Sequence, residues 1–568
     1  MRSSAVLLIL IAIATGAVAA AQNLGVRMIV VKTDAQARDL RARIQKGESF
    51  EELARKYSAD TSATAGGYLG TFAVTDLRKE FQDGISGLHP GDVSPVLLVN
   101  GDYVLLQLLK EEETRWQEQM AAGRQAVQQK RYADAEHFFQ ASIREAERFG
   151  PQDARLGTSL NTLGIVYFAQ TNYAAAEPLY KRALTIRERT LGPEHPDVGA
   201  TLNNLAELYW SQKKYAAAQP LYERALTIVD KTAEPESPEM AAALNNLADV
   251  YRAQQNYGAA ESLYKRVLEI NEKILQPDHP DLGTSINNLA DIYRELGNYG
   301  AAEPLYRRAL GIVEKRVGPE HPDVGGSLNN LAALYRDQGS YAAAEPLYKR
   351  SLTIAENAFG PEHPNVGTAL VNLAGLYHDE ENYAAAEPVY KRALAIYERA
   401  FGPENTAVGE RLVDLAELYQ DEGNSAAAEP LYKRAVAIVE KNQGPDHPNL
   451  AASLVNLAVL YQNEGNYSSA EPLYERALAI YEKAQGPEHP NLAGILVNVA
   501  LFYQEHGNYA AAEPLYRRAL AIYEKAFGPD SARVAATLES LAALLRKRAQ
   551  NTEAEKMELR ARSIQGKH

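Results

Sequence analysis

A mostly helical solenoid, preceded by a small α+β domain, is the fold this sequence predicts, and three observations predict it. A forty-two-residue unit recurs almost to the C-terminus, marked by Tyr173, Tyr215, Tyr257, Tyr299, Tyr341, Tyr383, Tyr467 and Tyr509. Ser425 and Asn551 hold the same phase, and Tyr132 precedes the series by forty-one residues. Such a period belongs to solenoids, whose units bury their apolar faces only against one another. Inside each unit, Leu202, Leu205, Ala206 and Tyr209, then Ala218, Tyr222 and Ala225, recur at helical spacing. Residues 25 to 110 lack the period altogether and read as strand, helices, then strands.

The chain begins with Arg2, the apolar run Ala5 to Ile13 and small residues at Ala17-Val18-Ala19 or Ala19-Ala20-Ala21. This is the pattern of a cleaved signal peptide over residues 1–21. The run is shorter than the roughly 18 residues needed to span a bilayer. Export to the periplasm or outside the cell is expected, with no integral membrane segment left after cleavage. No cysteine occurs, which excludes disulfides, thiolate metal sites, cysteine nucleophiles and lipid attachment through cysteine. The net charge of -14 argues against a nucleic-acid partner.

In the small segment "VRMIVV" reads as a strand, Asp34 to Lys46 and Ser49 to Tyr57 as amphipathic helices, and "GGYLGTF" as a glycine-rich turn. Leu77 to Asp83 reads as a short helix, and "PVLLV" and "YVLLQLL" as strands about an Asn100-Gly101 hairpin. Residues 22–111 resemble a parvulin-type peptidyl-prolyl isomerase domain. The blocks that carry the resemblance are "VVKTDAQARDLRARIQKGESFEELARKYSAD", "GGYLGTF", "EFQDGISGLHPGDVSPV" and "YVLLQLL". That family twists an Xaa-Pro bond in a small apolar pocket beside a polar network containing two histidines. The uncatalysed barrier is ~18–20 kcal/mol, and lowering it requires only a pocket that favours the twisted amide.

The resemblance puts Asp60 at the family's acidic or cysteine position near the substrate amide, and Leu69, Leu77 and Phe81 in the proline pocket. The histidine of the first strand is replaced by Met28. That of the last strand falls on Val104, or on Tyr103 if the hairpin shifts by one. His89, in the "LHPGD" turn, does not replace them. An apolar proline-binding surface without its polar network is therefore expected. The plainer readings are core packing for the three apolar residues and a cap for Asp60.

Residues 112–568 form the repeat array, entered without a Gly/Pro-rich linker, so a continuous helix should join it to the small domain. Polar turns such as "SQKKY" and "ELGNY" separate the two helices of a unit. Between units "GPEHPDV" ends one helix at Gly and prevents continuation at Pro. A proline also recurs near the start of eight of the second helices, as at Pro178, Pro304 and Pro514, where a slight bend is expected. The units resemble the forty-two-residue tetratricopeptide repeats of kinesin light chains, on Leu205, Ala206, Tyr209, Ala218, Tyr222, Ala225, "NNLA" and "GPEHP". Eleven helical hairpins are counted, the last a polar copy, and the resemblance implies a right-handed superhelix with peptide bound along its first helices.

Three rows lie on that face. One is Asn204, Asn246, Asn288, Asn330 and Asn372, continued by Asp414, Asn456 and Asn498. The second runs Asn203, Asn245, Asn287 and Asn329, then turns to Val371, Val413, Val455 and Val497. The third is Trp210, Arg252, Arg294, Arg336 and His378, then Gln420, Gln462 and Gln504. Carboxamides offer a donor and an acceptor to an extended peptide. The arginines suggest an acidic client, unless acids such as Glu295 and Asp337 pair with them. His195, His279, His321, His363, His447 and His489 fall one per inter-unit loop. Loops one layer apart cannot bring ligands to ~2.0–2.1 Å of one zinc ion, so a loop-capping role is expected for these histidines. Neither a metal nor a cofactor is expected. The sequence thus predicts a scaffold or chaperone-like adaptor for polypeptide clients, acidic or proline-containing, with an active isomerase as the competing reading.

Overall fold

The computed structural model describes residues 24–566, so the expected signal segment lies outside the described residues. Four antiparallel strands make the sheet of the small domain: β1 (Leu24–Val31), β2 (Tyr68–Phe72), β3 (Leu97–Val99) and β4 (Asp102–Leu108), in the order β2-β1-β4-β3. Helices α1 (Asp34–Gln45) and α2 (Phe50–Tyr57) start at Thr33 and Ser49, whose hydroxyls accept from Gln36 N and Glu52 N. The hairpin between β3 and β4 turns at Asn100 and Gly101, both at positive φ, as a two-residue connection requires. The short helix expected at Leu77 begins two residues later, as α3 (Lys79–Ile85), because Leu77 is extended and packs into the core.

Central strand β1 is buried on both sides. Val26, Met28 and Val30 pack with Leu77, Phe81 and Leu106 on the α3 face. Ile29 and Val31 pack with Leu40, Phe50, Leu53 and Leu105 on the α1–α2 face. That two-sided burial explains why the strand reads as a continuous apolar run. Arg27 is the exception, and its partners lie partly outside the domain.

The chain divides into two compact units, Met1–Thr232 and Ala233–His568, each described by itself. Among the described residues there are eleven helical hairpins, each made of a first helix (A) and a second helix (B). The first pairs Glu111–Gln128 with Tyr132–Glu147, and the last pairs Ala532–Lys547 with Asn551–Gln565. Three hairpins follow the small domain in the first unit, and eight make the second.

The expected punctuation is present. B helices from hairpin two onward start at the marker tyrosine or its replacement, most of them behind an Asn cap such as Asn298, which accepts from Ala301 N at 3.3 Å. Several end at a glycine held near φ +90, such as Gly318 and Gly444. All six repeated histidines cap A helices. In each, Nδ1 accepts the amide two residues on, at 3.1 Å in His363 and 3.2 Å in His279. The interior proline is the sixth residue of its helix, one past the first turn. Each small Ala206- or Ala218-type position is fully buried, and the Tyr222 series fills the space between helices.

Candidate functional site

The α3 face of the small domain gathers the residues expected to form a proline pocket. Leu77 and Phe81 are buried and Leu69 is half-buried, all in one cluster with Met28 and Val104. Strand register decides between the two candidates on β4. Val104 stands opposite Val30, and Met28 opposite Leu106, so both replaced positions lie on this face. Tyr103 pairs with Val31 and packs on the opposite side with α1 and α2. Two apolar side chains, 0% and 1% exposed, thus occupy the centre where histidines would stand in the resembling family.

Asp60 is 8% exposed and caps a 3-10 turn, Thr61–Ala65, with Oδ1 accepting from Ser62 N at 2.8 Å. The segment is tied to β1 by Ala59 N donating to Val30 O (2.8 Å) and Val30 N donating to Ser58 Oγ (3.0 Å). Gly67 closes the same corner: its carbonyl accepts from Met28 N at 2.8 Å, and a Cβ there would lie 2.4 Å from Met28 O.

The sequence reading missed the seam between this domain and the repeats. Arg27 Nη2 meets Glu51 (3.0 Å), and Nη1 meets Glu113 of the first A helix (2.9 Å). Thr71 Oγ1 donates to Glu118 at 2.7 Å, and Gly25 lies against Thr114 so closely that a Cβ would touch its hydroxyl. Burial pushes the Tyr68 phenol up to about 12, and Glu118 adds to the rise. Arg124, beside Glu51, Arg55 and Tyr68, keeps solvent contact while the surrounding protein lowers its pKa. A charged Arg27 in an otherwise apolar strand was the available signal, since such a charge needs partners.

On the A helices the asparagines of the expected rows are half-exposed from Asn203 and Asn204 to Asn372. Asn204 Nδ2 donates to Asn161 Oδ1 at 3.1 Å, and Asn288 Nδ2 to Asn245 Oδ1 at 3.0 Å, linking neighbouring hairpins. Asn246, Asn330 and Asn372 have no side-chain hydrogen bond among the described residues, and the Asn287 and Asn329 carbonyl oxygens are buried unpartnered. The arginine row is paired throughout. Arg252 meets Asp291 at 3.2 Å, Arg294 meets Asp337 at 3.3 Å, and Arg336 meets Asp379. His378 continues it to Asp421 at 2.9 Å. Further along, Val455 is buried, Val497 half-buried and Leu501 exposed.

No helix among the described residues is long and apolar enough to cross a membrane. The model of the PPIC-type PPIASE domain matches residues 30–110. Tetratricopeptide repeat models match 119–189, 157–231, 239–315, 323–399, 410–483 and 491–567. Chaperone SurA of Burkholderia thailandensis is 36% identical over 110 residues, 18% of this chain and 25% of that protein. Foldase protein PrsA of Geobacillus kaustophilus is 34% identical over 88 residues, 15% of this chain and 31% of that protein. The chain thus spans between a quarter and a third of the length of these curated relatives. Nearly identical repeats of a putative kinesin light chain from Podosopora anserina are 27% identical, with a TM-score of 0.34, over 37% of this chain and 99% of that one. The repeat matches cover well over half of the sequence, and the chain belongs to the tetratricopeptide-repeat family, with a PPIC-type rotamase domain ahead of its repeats.

Proposed function

We propose that this protein is an exported, chaperone-like adaptor that binds polypeptide clients along its A helices. Its small domain holds proline-containing segments rather than isomerising them efficiently. One observation carries the reading for the repeats. Asn246, Asn330 and Asn372 stand half-exposed with unpartnered amides, a row suited to the backbone of an extended chain whatever its sequence. Acidic side chains are a weaker expectation, because a client carboxylate would have to displace Asp291, Asp337 or Asp379 from the arginines.

For the small domain the reading rests on Met28 and Val104. An apolar centre can hold a proline ring through Leu69, Leu77 and Phe81, but it offers the rotating amide no polar partner. Asp60 stands nearby with one oxygen engaged by its own turn. The relatives named chaperone and foldase match over this domain, which agrees with a role on unfolded chains. Export follows from residues 1–21 and is tested by the N-terminus of the secreted protein.

Cis/trans exchange of an Xaa-Pro peptide, followed by NMR with the full chain, separates the two readings. The expected result is a shift of peptide signals without faster exchange, abolished by Phe81→Ala. Acceleration that Phe81→Ala removes would instead make the protein an isomerase working without the two histidines.

A further inference from the structure

Two positions, three residues apart on each A helix, look out from the client face. In hairpins four and five they hold an acid and an arginine, Asp249 with Arg252 and Asp291 with Arg294. In hairpins two and three the same positions hold Ile165 with Phe168 and Glu207 with Trp210. Ile165 is 40% exposed and Trp210 41%, with Phe168 half-buried between Tyr173 and the hairpin core. Large apolar side chains replace both members of the charged pair in hairpin two and its arginine in hairpin three, the two hairpins that follow the one under the small domain.

Three observations bear on what could cover them. Hairpin one carries Arg124 in the register of Ile165, within electrostatic range of Tyr68, Glu51 and Arg55 of the small domain. The small domain also reaches hairpin three, where Glu52 Oε1 stands 3.7 Å from His195 Nε2. The apolar positions thus lie one and two hairpins on from the A helix that the small domain covers through Arg27–Glu113 and Thr71–Glu118. Glu207, lacking the arginine that its counterparts have, shows no ion pair or hydrogen bond among the described residues, and the protein around it raises its carboxyl pKa. Its carboxylate stands exposed beside these apolar groups, open to a cation.

We infer that Ile165, Phe168, Glu207 and Trp210 form a docking shelf for an extended client segment that presents apolar side chains on one side and a basic residue to Glu207. Neighbouring A helices stand about 10 Å apart, and a chain in the polyproline-II conformation rises ~3.1 Å per residue and brings every third side chain back to the same side. Apolar residues at every third position thus match successive hairpins. The shelf receives a chain from, or passes it to, the adjoining rotamase domain. This rests on the reading that the A-helix face takes polypeptide, and it adds which segment is chosen and where it enters.

Trp210 makes the test direct. The other tryptophan, Trp116, is 3% exposed with its indole N–H donated to Ser159 Oγ at 2.8 Å, so a shift in emission reports the shelf. The probe is a capped dodecapeptide with leucine at every third position, one lysine, and neither tryptophan nor proline, titrated into the full chain. A saturable blue shift is expected. Ile165→Asp and Trp210→Arg, which give hairpins two and three the residues of hairpin five, should weaken binding of the same peptide, now carrying a fluorescent label, roughly tenfold. Their folding is checked by unchanged thermal unfolding. Glu207→Gln should weaken the lysine peptide but not its glutamine analogue, whereas Asn288→Ala with Asn330→Ala should leave this peptide bound. Loss confined to the Asn288 and Asn330 variant would overturn the shelf and keep the general reading. No binding at all would overturn both. A blue shift that follows protein concentration alone, with dimers on sedimentation, would make the shelf a contact between two copies of this chain.

Discussion

At the residue scale the repeat supplies its own controls, because one position is filled differently in different hairpins. The turn between A and B helices needs a left-handed residue. Gly339, Gly423 and Gly465 provide it, but Glu381 holds the same place at φ +57. A side chain in that conformation costs roughly 1–2 kcal/mol. Glu381→Gly should therefore stabilise hairpin seven by about 1 kcal/mol after the added freedom of the unfolded glycine, read as slower amide exchange in the flanking helices. Glu207 belongs to the same scale. Its carboxyl is raised by its surroundings, so ionisation works against the folded state once pH exceeds the folded pKa. Folded protein holds that proton better than unfolded chain does. The favourable term is thus complete below the ordinary carboxylate value and lost as pH rises through the raised one. Glu207→Gln should raise the melting temperature at pH 7, and the gain should vanish in acid.

At the scale of elements, local rules decide where helices begin and stop. The repeated histidine acts through one atom, Nδ1, which accepts an otherwise unsatisfied amide at the start of six A helices. Hairpin eight does the same with Asn405, whose Oδ1 accepts from Ala407 N at 2.9 Å. His363→Asn should therefore be nearly neutral apart from the lost stacking on Phe359, while His363→Ala should cost about 1 kcal/mol. Hydrogen exchange at the amide of Asn365 distinguishes them. These caps were legible because each depends on a few adjacent residues. The start of α3 was not, since Leu77 leaves the helical pattern only to reach Phe81 and the core, a contact that no local rule encodes.

At the scale of the molecule, side chains far apart in sequence hold hairpins and domains together. Tyr377 donates to Glu345 of the preceding hairpin at 2.8 Å, and Tyr419 repeats this with Glu387 at 2.8 Å. The small domain is fastened to the first A helix by Arg27, shared between Glu51 and Glu113. Removing one partner from a buried ionic group leaves the others uncompensated, at a cost of about 3–5 kcal/mol. Arg27→Ala should accordingly loosen the seam, seen as faster amide exchange around Thr114 and Thr71 with the rest of the array unchanged. Arg27→Met should recover part of the loss by packing without charge.

The sequence by itself determined the solenoid, the number of hairpins, the caps and the composition of every face, because a repeated unit states its periodicity many times over. The resemblance to parvulin-type domains grouped Leu69, Leu77 and Phe81, which share one cluster. Only the tertiary structure decided that Val104 rather than Tyr103 faces Met28, since strand register follows from pairing with β1. Only it decided that Arg252, Arg294 and Arg336 are answered by acids from the next hairpin, and that Glu207 is not. Such pairings depend on residues about forty positions apart meeting across a layer, a distance set by helix packing and not by the local chain.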